Sequence, residues 1–456
     1  MLAGKLSQLI DQSLEILETR KGEGKPARMT LIRHKIDDFH IDDRGSGWKS
    51  TDEPFERLDW STFVFDLVQK HIAILPVFQE IVGTIVREYE AVFQRVSPDI
   101  NKKSQTEFWL GNFVRIALHE KLENRLPNSR IIELITTFEQ ELNGSPLENK
   151  VVSYVSGFYP KADSIQLDES TIIRKLRADD LEYEYYAFTP FPSPRLQMQH
   201  PTAVIEMKMR VKDESELWKK LERIVMILRL FRLGSVYSLW NDVMKDSVIW
   251  PSGKSSMWSH SGYSELHKYV IQETEADALR KFFEALEPLV RSDKTEESAG
   301  FSIAITRYSN ALLDPVDTER KLMTAMMALE SLYSLPSDKG EIGYKISIRT
   351  AKLLSFLGFK PTEVRKNVEK SYYIRSRVAH GLVVDEKKVG KITDLLNILL
   401  EYVRLSLIVF IIVRPSQKNK FVLSIDSSLV DVNSSLEVKN QIVKIAEQIP
   451  NFPISN

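Results

Sequence analysis

The chain has 456 residues, 43% of them hydrophobic and 27% charged, with a net charge of −1 and no cysteine. A chain of that length has room for about two or three domains with a sizeable core, and its composition excludes disordered and fibrous classes. A near-neutral balance exerts no global pull on nucleic acid or membrane, so any basic footprint has to be local. The lack of cysteine excludes disulfide scaffolds, thiolate zinc sites and cysteine nucleophiles.

Residues 1–21 read as one amphipathic helix with Leu6, Ile10, Leu14 and Leu17 on a single stripe, and they lack the uninterrupted apolar core of a signal peptide. The stretch Gly22–Glu56 carries Gly22, Gly24, Pro26, Gly45, Gly47 and Pro54 as breakers and is expected to be a long loop. Inside it His34, Asp37, Asp38, His40, Asp42 and Asp43 are residue types that suit zinc or manganese. Aspartates in a glycine-rich loop more often make turns and face water, so no metal is assigned there. From Leu58 to about Asn143 apolar residues recur at helical spacing, with breaks near Pro98 and Pro127, and residues 1–150 are expected to form a helical region.

The texture changes near Val151. VVSYVSGFY, EYEYYAFTPF and TAVIEMKMRV are rich in β-branched and aromatic residues, a long helical segment is expected at Glu214–Met244, and SVIW at 247–250 reads as strand or loop. Residues 151–298 should therefore be a mixed α/β domain, with a helix at Glu273–Arg291 and a boundary loop at Ser292–Gly300. Trp258, His260 and His267 read as packing or surface residues. The chain has no phosphate-binding Gly-rich loop and no serine nucleophile elbow, which argues against ATP hydrolysis and triad hydrolysis.

The last third is helical again. Four helices are expected near 317–333, 344–357, 362–380 and 389–413, bounded by Pro315, Gly358, Pro361, Gly381 and Pro415. Short connections between amphipathic helices favour an antiparallel bundle over 299–415. The tail 416–456 reads as one short strand, FVLSI, and a final amphipathic helix. The fold class is thus mainly α with a mixed α/β middle domain. The most apolar run, Leu405–Val413, falls far short of the roughly 20 residues that span a bilayer. It reads as a buried helix of a soluble, cytoplasmic protein.

Chemistry concentrates on the third of these helices. Its stripe runs Val364, Val368, Tyr372, Arg375, Ala379, so Arg375 falls on the face expected to be buried. A guanidinium cannot shed its charge there and needs an anion, either a ligand phosphate or a carboxylate such as Glu330. His380 follows five residues later and lies roughly 140° from Arg375 around a straight helix. Either Gly381 ends the helix and lets the ring swing round, or a two-fold dimer brings two copies together. Around this pair the charge is strongly positive: over 345–377 nine cations face only Glu363 and Glu369, a net of +7. Lys345, Arg349, Lys352, Lys370 and Arg377 are the phosphate contacts expected from that run, with Tyr372 and Tyr373 placed to stack on an unpaired base.

The segment SYYIRSRVAHG resembles the Arg-x4-6-His signature of the HEPN superfamily, and its RS-x-x-x-HG form is similar to the Apea-like branch. ALESLY in an earlier helix and KISIRTAKLL before the motif helix fit the wider pattern over about residues 300–413. The resemblance implies an all-helical bundle that dimerises through the motif helix. It also implies metal-independent endoribonuclease activity without a cofactor, often as a toxin or antiviral effector. It makes Arg375 and His380 the catalytic pair and Ser376 auxiliary; Glu330 is added as an orienting acid. The chemistry suits these residue types. RNA carries its own 2′-hydroxyl nucleophile, a histidine of pKa about 6.5 exchanges protons near neutrality, and an arginine stabilises the pentacoordinate phosphorus. Cleavage would leave 2′,3′-cyclic phosphate and 5′-hydroxyl ends. The N-terminal two-thirds would sense a trigger or hold the nuclease in check. The alternatives are a non-catalytic RNA- or nucleotide-binding and dimerisation module, and a bundle in which Arg375 merely pairs with Glu330.

Overall fold

A computed structural model describes residues 2–42, 45–93, 100–186, 201–211, 215–245, 247–249, 255–258, 269–290, 296–384, 391–447, 449 and 452. The fold is mainly α with a mixed α/β region in the middle of the chain, as expected. Asp43, Pro98, Trp250, His260 and His267, with residues 187–200 and 291–295, lie outside the described residues.

The chain opens with helix α1 (Leu2–Arg20), whose Leu6, Leu9, Ile10 and Leu17 are buried against α3 (Pro76–Glu88), α5 (Lys102–Leu122) and α6 (Asn128–Leu142). Together with α2 (Ser61–Leu67) and the short α4 (Glu90–Phe93) they enclose one apolar core. Two residues from much later in the chain, Val248 and Ile249, complete it. The buried carboxylate of Glu141 holds that plug: it accepts from the Val248 amide at 2.8 Å and from the Ser247 hydroxyl at 2.8 Å. Residues 247–249 are thus not a strand but an anchored loop, because their amides are taken by a side chain rather than by a neighbouring strand.

Gly22–Glu56 is not a loop. Strands β1 (Ala27–Asp42) and β2 (Gly45–Asp59) form a long antiparallel hairpin in register from Ala27↔Asp59 to Asp42↔Gly45. A bulge between Ile36 and Asp38 resets the side-chain alternation, so Ile36, Phe39 and Ile41 come to share a face. With Trp48 they pack on the larger core of the molecule. That broken alternation hides the strand from a period-two reading.

The middle region is a six-stranded sheet in the order β10-β9-β3-β8-β6-β5, antiparallel at every junction. Its strands are β3 (Leu147–Ser156), β5 (Ser164–Asp168), β6 (Thr171–Lys175), β8 (Ala203–Val211), β9 (Tyr237–Lys245) and β10 (Ser255–Trp258). Strand β7 (Tyr183–Tyr186) pairs instead with β1, and β4 (Phe158–Pro160) pairs parallel with β11 (Tyr269–Ile271). The segment Glu214–Met244 is not one helix. Helix α7 (Ser215–Phe231) stops before Gly234, and β9 begins at Tyr237 because the aromatic and β-branched residues there pair with β3.

The end of α7 is fastened to three other elements. Its last four carbonyls lack helical partners; those of Leu228 and Arg229 accept from the Tyr269 and Tyr308 hydroxyls at 2.6 and 3.0 Å, and those of Leu230 and Phe231 from Arg404. Helix α8 (Ala276–Leu286) leads to the C-terminal helices: α9 (Glu296–Leu313), α10 (Thr318–Tyr333), α11 (Ile342–Ser355), α12 (Pro361–Ala379), α13 (Ile392–Val413), α14 (Lys418–Ser428) and α15 (Val432–Ala446). Helix α9 starts inside the expected boundary loop. FVLSI is helical, within α14, because Phe421, Val422 and Ile425 fall at helical spacing and are buried together. Middle sheet, bundle and tail share one contiguous apolar core. Helix α13 is long and apolar enough to cross a membrane, and 67% of its apolar window is buried inside the protein.

Candidate functional site

Helices α10, α11, α12 and α13 pack on one another, and each has the local signals that define it. Asp317 caps α10 by accepting from the Arg320 amide at 2.8 Å, and the stripe Leu322, Met326, Leu329, Tyr333 is fully buried. Pro361 opens α12, where a missing N–H costs nothing. The deeply buried line of α12 is Val364, Val368, Ser371 and Ile374. It is rotated from the expected one, so Tyr372 and Arg375 lie at its margin and Ala379 is exposed.

Arg375 is therefore only partly buried. Its side chain is 32% exposed and its Nη2 donates to Glu330 Oε2 at 3.2 Å; Glu330 is 19% exposed. Burial raises the Glu330 carboxyl above its ordinary value although the guanidinium works to lower it. The guanidinium also sits over the Tyr372 ring, 5.7 Å from its centroid. This is one contact to one carboxylate oxygen, and it leaves the other Arg375 donors open to a second anion.

The end of α12 has the geometry of a Schellman stop. Gly381 adopts φ +67°, the Leu382 amide donates to the Arg377 carbonyl at 2.8 Å and the Gly381 amide to that of Val378 at 3.0 Å. A side chain at Gly381 would be strained by that left-handed backbone. His380 is the C-cap, with φ −96° and ψ 9°, and its amide bonds to the Ser376 and Arg377 carbonyls at 3.2 Å. The imidazole is exposed and has no hydrogen-bond or ion-pair partner among the described residues. Ser376 is half-buried one position after Arg375. Within one chain Gly381 thus ends the helix at His380, and Arg375 stays on the Glu330 side.

The basic run divides into spent and unspent charge. Arg349 is the clearest correction to the expected phosphate contacts, because its side chain is only 4% exposed. It pairs with Asp338 at 2.6 Å and with Asp426 at 2.7 Å and also donates to the Tyr333 carbonyl. Lys345 joins Asp338 at 3.0 Å, Arg365 pairs with Glu369 and Lys360 with Glu363. Lys352 donates to Ser435 and lies over the Phe356 ring. The carboxylates that neutralise Arg349, Asp338 and Asp426, lie outside 345–377, so a local count could not find them, whereas Glu330 pairs with Arg375 as expected. The burial of Arg349 itself was readable: it sits between Ile346 and Leu353 on the buried stripe of α11. Of the remaining candidates, Lys370 is half-buried. Tyr373 is exposed beneath Arg377, whose Nε donates to the Val383 carbonyl at 2.7 Å.

An open cleft of about 640 Å³ is lined by Glu341, Ile342, Gly343, Tyr344, Glu369 and Tyr372, the last of which lies under the Arg375 guanidinium. Gly343 permits it: a Cβ there would come within 2.6 Å of the Tyr372 ring, so only glycine lets the start of α11 lie against that ring. Arg365 covers Tyr344, 5.3 Å from the ring centroid. Neither Tyr344 nor Glu341 stood out in the sequence, since α11 brings them to α12 only after folding.

The acidic and histidine residues of the hairpin lie on a strand. His34 Nδ1 and Asp52 Oδ1 are 2.7 Å apart across β1 and β2, Thr51 donates to Asp37, and no three metal-ligating side chains gather among the described residues. Compared with family models, with curated proteins and with solved structures, the chain finds no match.

Proposed function

We propose that the bundle around α12 is a HEPN-like, metal-independent endoribonuclease centred on Arg375 and His380. The observation that carries this reading is an exposed imidazole with no partner among the described residues, five positions along the chain from a guanidinium with a single hydrogen bond, to Glu330. In the reaction His380 takes the 2′-hydroxyl proton or protonates the departing 5′-oxygen, and Arg375 neutralises charge on the pentacoordinate phosphorus. Glu330 orients Arg375, and Ser376 offers a hydroxyl beside it. Two copies of α12 meeting at a two-fold axis would bring His380 of one near Arg375 of the other, which suits a homodimer. RNA is the partner and the cytoplasm its place, with defence against foreign nucleic acid as the setting and the N-terminal two-thirds as trigger sensor.

The test is incubation of the full chain and of His380→Ala with mixed RNA in EDTA, followed by end-group analysis. Cyclic-phosphate ends from the unaltered chain alone support the reading. Equal cleavage by both sinks it. A non-catalytic RNA-binding and dimerisation module is the second reading, favoured by the internal neutralisation of Arg349, Lys345 and Arg365. It gives RNA affinity that survives His380→Ala and no cleavage at any pH.

A further inference from the structure

We propose that the cleft between the start of α11 and the middle of α12 is a base-recognition subsite that takes one unpaired guanine of a single-stranded RNA. The inference rests on reading the adjoining Arg375 region as an RNA site. The cleft has about 640 Å³ of space, within the usual range of roughly 300–1,000 Å³ for ligand pockets. Its walls differ in kind from the rest of the helix. Two aromatic rings line it: the half-exposed Tyr344, with the Arg365 guanidinium over its ring, and the Tyr372 ring seated on Gly343 with Arg375 over it. Two carboxylates, Glu341 and Glu369, stand beside them. Glu369 is engaged by Arg365 at 2.7 Å, whereas the Glu341 carboxylate has no hydrogen-bond or ion-pair partner among the described residues.

A phosphate is repelled by such a wall, and a base is not. Stacking on a tyrosine accepts any base, so the carboxylates decide which one stays. Each oxygen of a carboxylate accepts a hydrogen bond, and the pair matches two parallel N–H donors. Guanine presents such a pair on its Watson–Crick edge, the N1–H and the N2 amino group. Adenine and cytosine present an amino group beside a ring acceptor, and uracil a single imide N–H between two carbonyls. Glu341 therefore favours guanine over the other three. Placement agrees with this role. Tyr372 lines the cleft and precedes Arg375 by three residues, a rise of about 4.5 Å along the helix, so a base held in the cleft against Tyr344 lies next to a phosphate at Arg375.

The experiment uses the full-length His380→Ala chain, so that the RNA survives. It is titrated with nine-residue oligouridine and with the same oligomer carrying a single central guanine, adenine or cytosine. The guanine oligomer is expected to bind about tenfold or more tighter than the others, the gain of one bidentate base contact. Adding Glu341→Gln should erase that preference, and adding Tyr344→Ala should weaken binding of all four oligomers. Equal affinity for all four oligomers overturns the proposal, as does a guanine preference untouched by Glu341→Gln. Cleavage by the unaltered chain is followed in parallel. Cleavage indifferent to guanine, with no binding preference, removes the base site and leaves the nuclease. A guanine preference lost in Glu341→Gln but without cleavage keeps the base site and removes the nuclease.

Discussion

Arg349 on α11 and Arg375 on α12 stand on helices packed side by side, and each faces carboxylates brought from elsewhere in the chain. Around Arg349 the account is closed. Two aspartates and a backbone carbonyl take its donors, and Lys345 and the Lys418 ammonium, which donates to the Ser334 carbonyl, fill the space around it. Around Arg375 there is slack: a single 3.2 Å hydrogen bond, a third of the side chain in solvent, and an open cleft on the Tyr372 ring beneath it. A buried charge that is fully paired holds a fold together but has nothing left for a ligand. One held loosely is positioned without being consumed. The same residue type on adjacent helices thus serves structure in one place and is available for chemistry in the other.

The comparison breaks most visibly at Arg349. Arg349→Ala strands two aspartates, and chemical denaturation should show a loss of about 3–5 kcal/mol; a loss under about 1 kcal/mol would dissolve the distinction. His380→Ala is the converse. RNA cleavage should fall about 10²–10⁴-fold while stability stays within about 0.5 kcal/mol, measured on the same preparation. Arg375→Ala should abolish cleavage yet cost at most about 1 kcal/mol of stability, since its ion pair is part-solvated.

Acid titration sharpens the contrast. Burial works to raise the Asp338 carboxyl, but hydrogen bonds from Arg349, the Leu335 amide and Lys345 outweigh it and hold the group well below 3.8. Its contribution to stability is therefore present above 3.8 and lost as pH falls below that value. Thermal melts should find Asp338→Asn destabilised at pH 7 and progressively closer to the parent chain in acid. Glu330 runs the other way. Its carboxyl is raised above 4.5, chiefly by burial, so the folded state holds a proton that the unfolded state has released, and stability falls as pH climbs past 4.5. Glu330→Gln should flatten that decline, the smallest effect of the set. A steeper decline in the variant would reverse the assignment.

Much of the candidate site was legible in residue order. Pro361, the 364–368 spacing and Gly381 define α12 and leave His380 at its end, all through contacts within one or two turns. The β1–β2 hairpin was not legible, because the bulge after Ile36 breaks the alternation and its glycines imitate a loop. FVLSI was misread as strand because β-branched and aromatic residues fit either period, and packing on the bundle core decided for helix.

Local periodicity and stop signals act between neighbours along the chain, so the sequence by itself determined which segments of the last third are helices and that a histidine terminates one of them. Which charges are spent is a different matter. Asp426 reaches Arg349 across 77 residues, a pairing the residue order did not suggest, whereas Glu330, 45 residues from Arg375, was the partner expected for it. Tyr344 meets the α12 face only because Gly343 lets two helices close together. Pairing across such distances depends on where the helices dock, which is set by burial of their shared apolar core, and only the tertiary structure decided it.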